Sequence, residues 1–123
     1  MIENKYPYAR QSINNSDIAA VAKSLENPII TRGENLDSFE REVAHLCQAR
    51  YAVAFNSGST ALAAAFFAAE ATERDRIITT PNTFVASMAA PCKEGATPVF
   101  VDIDRSTGNI DTESLSYNLE HVH

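Results

Sequence analysis

Tyr51-Ala52-Val53-Ala54-Phe55-Asn56-Ser57-Gly58-Ser59-Thr60-Ala61-Leu62 runs from an apolar stretch through a turn of small polar residues into an alanine-rich segment. The apolar stretch predicts a buried strand over 51–55, since a strand covered on both faces reads as a continuous hydrophobic run. Asn56 to Ser59 predict a turn, and Thr60 to Glu70 a helix, alanine being the strongest helix former. The alternation then repeats: a strand over Arg76–Thr80, a helix over Thr83–Glu94 closed by Gly95, and a strand over Pro98–Asp102. The order β-α-β-α-β, with helices of this length, implies parallel strands joined by right-handed crossovers, and hence an α/β layered sheet. Pro91 falls inside the second crossover helix, where it is predicted to kink or shorten it at a cost of about 3 kcal/mol unless neighbours compensate.

Towards the amino terminus, Ser16 is predicted to cap a short helix with Ile18, Val21, Ala22 and Leu25 on one face, ended by Asn27-Pro28. Beyond Thr31-Arg32-Gly33, Asn35 is predicted to cap a longer helix. Its Leu36, Phe39, Val43 and Leu46 form a stripe for packing, with Glu40, Glu42 and Arg50 left to water. At the other end Asp111 caps a last helix that runs to His123.

The 123 residues, 45% of them hydrophobic, are enough for one small domain. Ten basic against 16 acidic residues give a net charge of −6, the wrong sign for a nucleic-acid partner. The longest apolar run, Ala61–Ala69, is far short of the ~20 residues of a membrane helix, and Met1–Lys5 lacks the apolar core of a signal peptide, so a cytoplasmic protein without a membrane partner is expected. Cys47 and Cys92 stand apart, with no histidine at ligand spacing, and read as reduced, buried small residues. His45, His121 and His123 form no triad or metal cluster, and Asp102-Ile103-Asp104 reads as a strand end entering a polar loop rather than a calcium loop.

Two turns carry the chemistry. At Phe55–Leu62 a strand end meets a helix start, where unpaired amides, the helix dipole, a glycine and the hydroxyls of Ser59 and Thr60 suit an anion; alternatively Ser57 or Ser59 only caps the helix. Neither the dinucleotide fingerprint nor the Gly-Lys-Ser/Thr ending of a nucleotide P-loop is present. At Ile78–Ala86 a second strand end leads into a helix, and Phe84 lies just past it, either in the core or free to stack on a flat heterocycle. Such strand ends share one rim, which is where ligands bind in open α/β sheets.

Ile30-Thr31-Arg32-Gly33, Phe55–Ser59, Ile78–Ala86, and Pro98–Asp104 followed by Gly108-Asn109-Ile110-Asp111 occur in an order and spacing that resembles the DegT/StrS-type nucleotide-sugar aminotransferases. The resemblance runs from Tyr6-Pro7-Tyr8 to the last helix. It implies roughly the first third of a longer enzyme: residues 1–123 as an incomplete large domain of a fold-type I pyridoxal-5′-phosphate (PLP) transferase, a three-layer α/β/α structure. Within the family, the start Tyr8–Ile13, Phe55-Asn56-Ser57 and Gly108–Asp111 look most similar to enzymes that aminate C4 of a UDP-linked 4-keto-6-deoxy sugar on the route to pseudaminic acid.

Carried over by position, the resemblance implies that Gly58 and Ser59 hold the PLP phosphate and that Phe84 covers one face of the pyridine ring. Tyr8, Ile30 and Thr31 would line the nucleotide-sugar site. The family usually has Gly-Thr or Ala-Thr where this chain has Gly58-Ser59, and serine keeps both hydroxyl and amide. The lysine that holds PLP covalently and the aspartate that protonates its ring nitrogen are implied to lie beyond residue 123, so no catalytic residue is assigned. Lys5, Lys23 and Lys93 read as solvated charges, and the isolated chain is expected to be inactive. The family also implies a homodimer and an amino-acid donor. Two other readings stay open: a sugar dehydratase of the same family, with histidine in place of the lysine, and a non-catalytic module that binds a phosphorylated metabolite or acts by association through open strand edges.

Overall fold

Asn14, not Ser16, starts the first helix. In the computed structural model, which describes residues 9–121, α1 spans Asn15–Leu25, and the Asn14 side chain accepts from the amides of Ser16 and Asp17 while Asp17 returns a bond to the Asn14 amide. This reciprocal capping box satisfies three amides, which a serine at position 16 would not do. The second helix, α2, spans Glu34–Leu46 and begins at Gly33 rather than Asn35. A Cβ on Gly33 would stand 3.2 Å from the carbonyl oxygen of Ile29, so a side chain there would crowd the entry into α2 and require that carbonyl to give by a few tenths of an ångström.

Two compact units divide the chain, Met1–Ala54 and Phe55–His123. In the first, the apolar stripe of α2 is less covered than predicted: Leu36 and Val43 are half-buried, but Phe39 is 56% and Leu46 82% exposed. Glu40, expected in water, is half-buried, and its carboxylate accepts the Ala54 amide at 2.9 Å. That bond anchors residues 51–55, which do not form the predicted strand. A strand exists only by its ladder, and this segment has no ladder partner among the described residues.

The second unit contains α3 (Gly58–Ala68), β1 (Arg76–Thr79), α4 (Ala86–Lys93), β2 (Thr97–Phe100) and α5 (Thr112–His121). As predicted, β1 and β2 pair in parallel across the α4 crossover, with Arg76 opposite Thr97 and Thr79 opposite Phe100. Ala86, Ala90, Ala96 and Val101 are buried, and Pro91 is fully buried within α4. Small side chains allow α3 and α4 to pack together and α4 to lie against both strands. Pro91 sits in the last turns of a helix of only 8 residues, so its missing amide shortens α4 rather than bending a long one.

Three helices close alike. After α2, α3 and α4, residues Gln48 (φ 51°), Glu70 (φ 55°) and Gly95 (φ 91°) turn left-handed, and the next amide reaches back five residues to Ala44, Phe66 or Pro91. Gly95 was legible as such a stop; Gln48 and Glu70 adopt the same turn with a Cβ, at roughly 1 kcal/mol each. Asp111 caps α5 as predicted, accepting from the Glu113 amide at 3.0 Å. Cys47 and Cys92 are both exposed free thiols, contrary to the buried reading, because each falls at a helix end without a covering layer.

Candidate functional site

Ser57 sets the geometry of the first turn. Its hydroxyl accepts the Thr60 amide at 3.3 Å, and its carbonyl accepts the Ala61 amide at 3.1 Å. The amides of Gly58 and Ser59, next to them in the first turn of α3, have no acceptor among the described residues. Neither does the Ser59 hydroxyl have a partner there, whereas the Thr60 hydroxyl lies 2.9 Å from Asn56 Oδ1, 2.8 Å from the Ser57 carbonyl and 3.0 Å from Ser57 Oγ. A Cβ on Gly58 would meet nothing within 4 Å, so the side-chain position at 58 is open. The capping reading and the anion reading therefore coexist: Ser57 caps one amide and leaves two.

Charge favours the anion. The first turns of α1, α2 and α5 carry Asp17, Glu34 with Asp37, and Glu113, acids that offset the helix dipole. Those of α3 and α4 carry none, so the positive ends of both dipoles have no acid in their own first turn to offset them.

The second turn follows β1. Thr80 is buried, residues 81–83 bend, and α4 starts at Ala86, three residues later than predicted, with the Thr83 and Ser87 hydroxyls 3.0 Å apart across its entry. Phe84 is 71% exposed, so it is not a core residue and its ring is free to cover a ligand. The carboxyl-terminal end of α3 (Phe67, Ala68) and Glu94, just past α4, line one cavity, so the two helices run side by side in the same direction. Phe84 lies past the carboxyl end of β1 at the entry to α4, and Gly58–Ser59 open α3, which packs on α4.

Ile30 and Thr31 lie in the first unit, in the connection between α1 and α2, where both are exposed. A cavity of about 320 Å³ beside that connection is lined instead by Ile29, Arg32 and Asp37 among others. Arg32 is left-handed there (φ 59°), a strain that nothing in the sequence announced. Tyr8 and Lys5 lie outside the described residues. Lys23 and Lys93 are exposed in the last turns of α1 and α4, and Lys93 is separated from the Phe84 end by the length of α4, about 12 Å. In the acidic stretch, Asp104 Oδ1 accepts the amides of Ser106 and Thr107 at 2.8 Å each and the Ser106 hydroxyl as well. The Ser106 hydroxyl bond first, then the Thr107 amide, lower its pKa to about 2.

Among the described residues, two free amides, a free hydroxyl and a helix first turn without acids form a donor set that fits a phosphate monoester, and the exposed Phe84 ring fits a flat heterocycle. PLP combines these two parts. The comparisons point the same way. Over 112 residues the chain is 37% identical to a Campylobacter jejuni enzyme named UDP-4-amino-4,6-dideoxy-N-acetyl-β-L-altrosamine transaminase, covering 91% of this chain and 29% of that protein. A Streptococcus pneumoniae sugar aminotransferase solved in its PLP form superposes with a TM-score of 0.80 at 29% identity, over 91% of this chain and 29% of that one. Helicobacter pylori PseC, an aminotransferase of pseudaminic acid biosynthesis, superposes with a TM-score of 0.79 at 31% identity, over 91% and 30% of the two chains. The chain thus spans under a third of the length of the relatives it matches, its α/β architecture is that of their fold-type I scaffold, and the cofactor of such enzymes is PLP. Residues 11–121 match the profile of the DegT/DnrJ/EryC1/StrS aminotransferase family, and the chain belongs to that family.

Proposed function

We propose that this chain is the N-terminal, incomplete large domain of a PLP-dependent enzyme that transfers an amino group from an amino-acid donor to C4 of a UDP-linked 4-keto-6-deoxy sugar. Its products serve surface polysaccharide or glycan-precursor synthesis, and it works as a cytoplasmic homodimer. No helix among the described residues is long and apolar enough to cross a membrane. The substrate reading rests on the relatives from Campylobacter jejuni and Helicobacter pylori, whose names specify a UDP-amino sugar and pseudaminic acid. The cofactor reading rests on one observation above all: the Gly58 and Ser59 amides lack acceptors at a helix end free of acidic side chains.

In this reading the Gly58 and Ser59 amides and the Ser59 hydroxyl bind the cofactor phosphate, and Phe84 covers one ring face and keeps water from it. Ile30, Thr31 and Tyr8 contact the nucleotide sugar. PLP, when bound, supplies an electron sink and carries the amino group between donor and acceptor. Lys23 and Lys93 are solvated at helix ends and take no part, so the 123-residue chain binds the cofactor without turnover.

The test is titration of the purified chain with PLP and, separately, with pyridoxal, followed by borohydride trapping and mass spectrometry. The expected result is a preference for PLP of about tenfold or more, the worth of one to two charge-assisted hydrogen bonds, and no specifically trapped lysine. Equal affinity for the two compounds would remove the phosphate cradle. Stoichiometric trapping at Lys5, Lys23 or Lys93 would overturn the assignment of these lysines.

A further inference from the structure

We propose that Thr60 and Asn56 are positioning residues for the phosphate cradle, a side-chain latch that holds the turn so that the Gly58 and Ser59 amides face a ligand. The inference rests on the cradle reading above. It starts from proton counting. The Thr60 hydroxyl has three oxygen neighbours, Asn56 Oδ1 at 2.9 Å, the Ser57 carbonyl at 2.8 Å and Ser57 Oγ at 3.0 Å, but one proton to donate. Asn56 Oδ1 and the Ser57 carbonyl are acceptors only, so Thr60 shares its one proton between them in a three-centre bond and accepts from the Ser57 hydroxyl. Ser57 Oγ in turn accepts the Thr60 amide at 3.3 Å. The side chains of Asn56, Ser57 and Thr60 are thereby committed to one another across the turn, and Ser59 is the hydroxyl left over.

This commitment has two effects. It ties the residue before the turn to the first turn of α3, which fixes the direction of the two intervening amides. It also occupies the hydroxyls that would otherwise donate back into the cradle, so the donors presented are those of Gly58 and Ser59. A residue at position 60 lacking the hydroxyl leaves Asn56 free to rotate and the turn held by Ser57 alone.

The experiment compares PLP with pyridoxal binding for the wild-type chain, Thr60→Val, Thr60→Ser, Asn56→Ala and the Thr60→Val/Asn56→Ala pair, with thermal unfolding of each. Expected is a fall of about fivefold to tenfold in the preference for PLP over pyridoxal for Thr60→Val and for Asn56→Ala, no further fall in the double variant, and recovery to within about threefold in Thr60→Ser. The preference is the informative readout, because a general loosening weakens both compounds alike. If Thr60→Val keeps the full preference, or loses affinity for both compounds equally, or if Thr60→Ser does not restore it, the latch is overturned while the cradle stands. A wild-type chain with no preference for PLP overturns the cradle itself, and the latch with it.

Discussion

The turn at Asn56–Thr60 and the loop at Asp104–Asn109 are built from similar parts, with opposite results. Each has a short polar side chain reaching forward to main-chain amides, threonine and serine hydroxyls, and a glycine. In the loop, the Asp104 carboxylate takes the amides of Ser106 and Thr107 and the Ser106 hydroxyl, and the Gly108 amide goes to the Asp104 carbonyl at 2.8 Å. The loop is electrically and geometrically complete, since it carries its own anion. In the turn, a neutral hydroxyl takes one amide and leaves two without an acceptor among the described residues. The difference shows what distinguishes a ligand turn from a structural one: not the presence of amides, but whether the chain has already spent them.

The largest effect should come from making the turn resemble the loop. Ser57→Asp keeps a good helix cap, so folding should be almost unaffected, but it sets a carboxylate beside the phosphate. At about 5 Å and an effective dielectric near 20, each pair of unit charges costs about 3 kcal/mol, so PLP affinity should fall by about two orders of magnitude while pyridoxal is nearly unchanged. Unchanged PLP binding would place the phosphate elsewhere. Phe84→Ala should act on the other half of the cofactor, lowering affinity for PLP and pyridoxal by the same factor, about threefold to tenfold. Since the ring is 71% exposed, the thermal midpoint should stay put; a fall in that midpoint without a change in affinity would make Phe84 a packing residue after all.

Much of this contrast was legible in the sequence, and what was not has physical reasons. The parallel pair β1–β2, the Gly95 stop and the Asp111 cap follow from local pattern, because periodicity and turn chemistry are local. The strand expected at Tyr51–Phe55 failed because a strand depends on a partner that no local pattern contains. Ser16 and Asn35 were plausible caps displaced by two positions each, to Asn14 and Gly33, since several polar residues there compete and only the backbone path decides. The proposed substrate role of Ile30 and Thr31 comes from resemblance alone, and the left-handed Arg32 beside them has no sequence signature. The Thr60 latch was equally invisible, because which oxygen a hydroxyl reaches depends on coordinates rather than on residue type.

The loop offers a smaller effect with a pH signature. The Asp104 carboxyl sits at about 2, below its ordinary value of about 3.9, held there first by the Ser106 hydroxyl and then by the Thr107 amide. Since the folded value is the lower one, the stabilisation is full above about pH 4 and is lost as pH falls towards 2. Hydrogen exchange at the Ser106 and Thr107 amides, corrected for intrinsic rates, should therefore speed up across that window in the wild-type chain. Asp104→Asn should show faster exchange already at pH 5, no further step between 4 and 2, and unaltered PLP preference. A pH-independent wild-type loop would mean that the carboxylate is not what fills it.

Gly58→Ala should have the smallest effect and separates two reasons for a glycine. The protein itself does not require one: the backbone at 58 is not left-handed, and a Cβ would touch nothing within 4 Å. Alanine should therefore raise stability by about 0.4–1 kcal/mol through the lower entropy of the unfolded chain, measurable by denaturant unfolding. PLP affinity should stay within about threefold, because the amide that binds phosphate is kept and the family pattern admits Ala-Thr at these positions. If instead stability rises while PLP binding is lost and pyridoxal binding survives, the phosphate seats directly against the Cα of Gly58. Position 58 would then set how closely an anion can approach the turn's two free amides, whose counterparts in the Asp104 loop are already taken by a carboxylate.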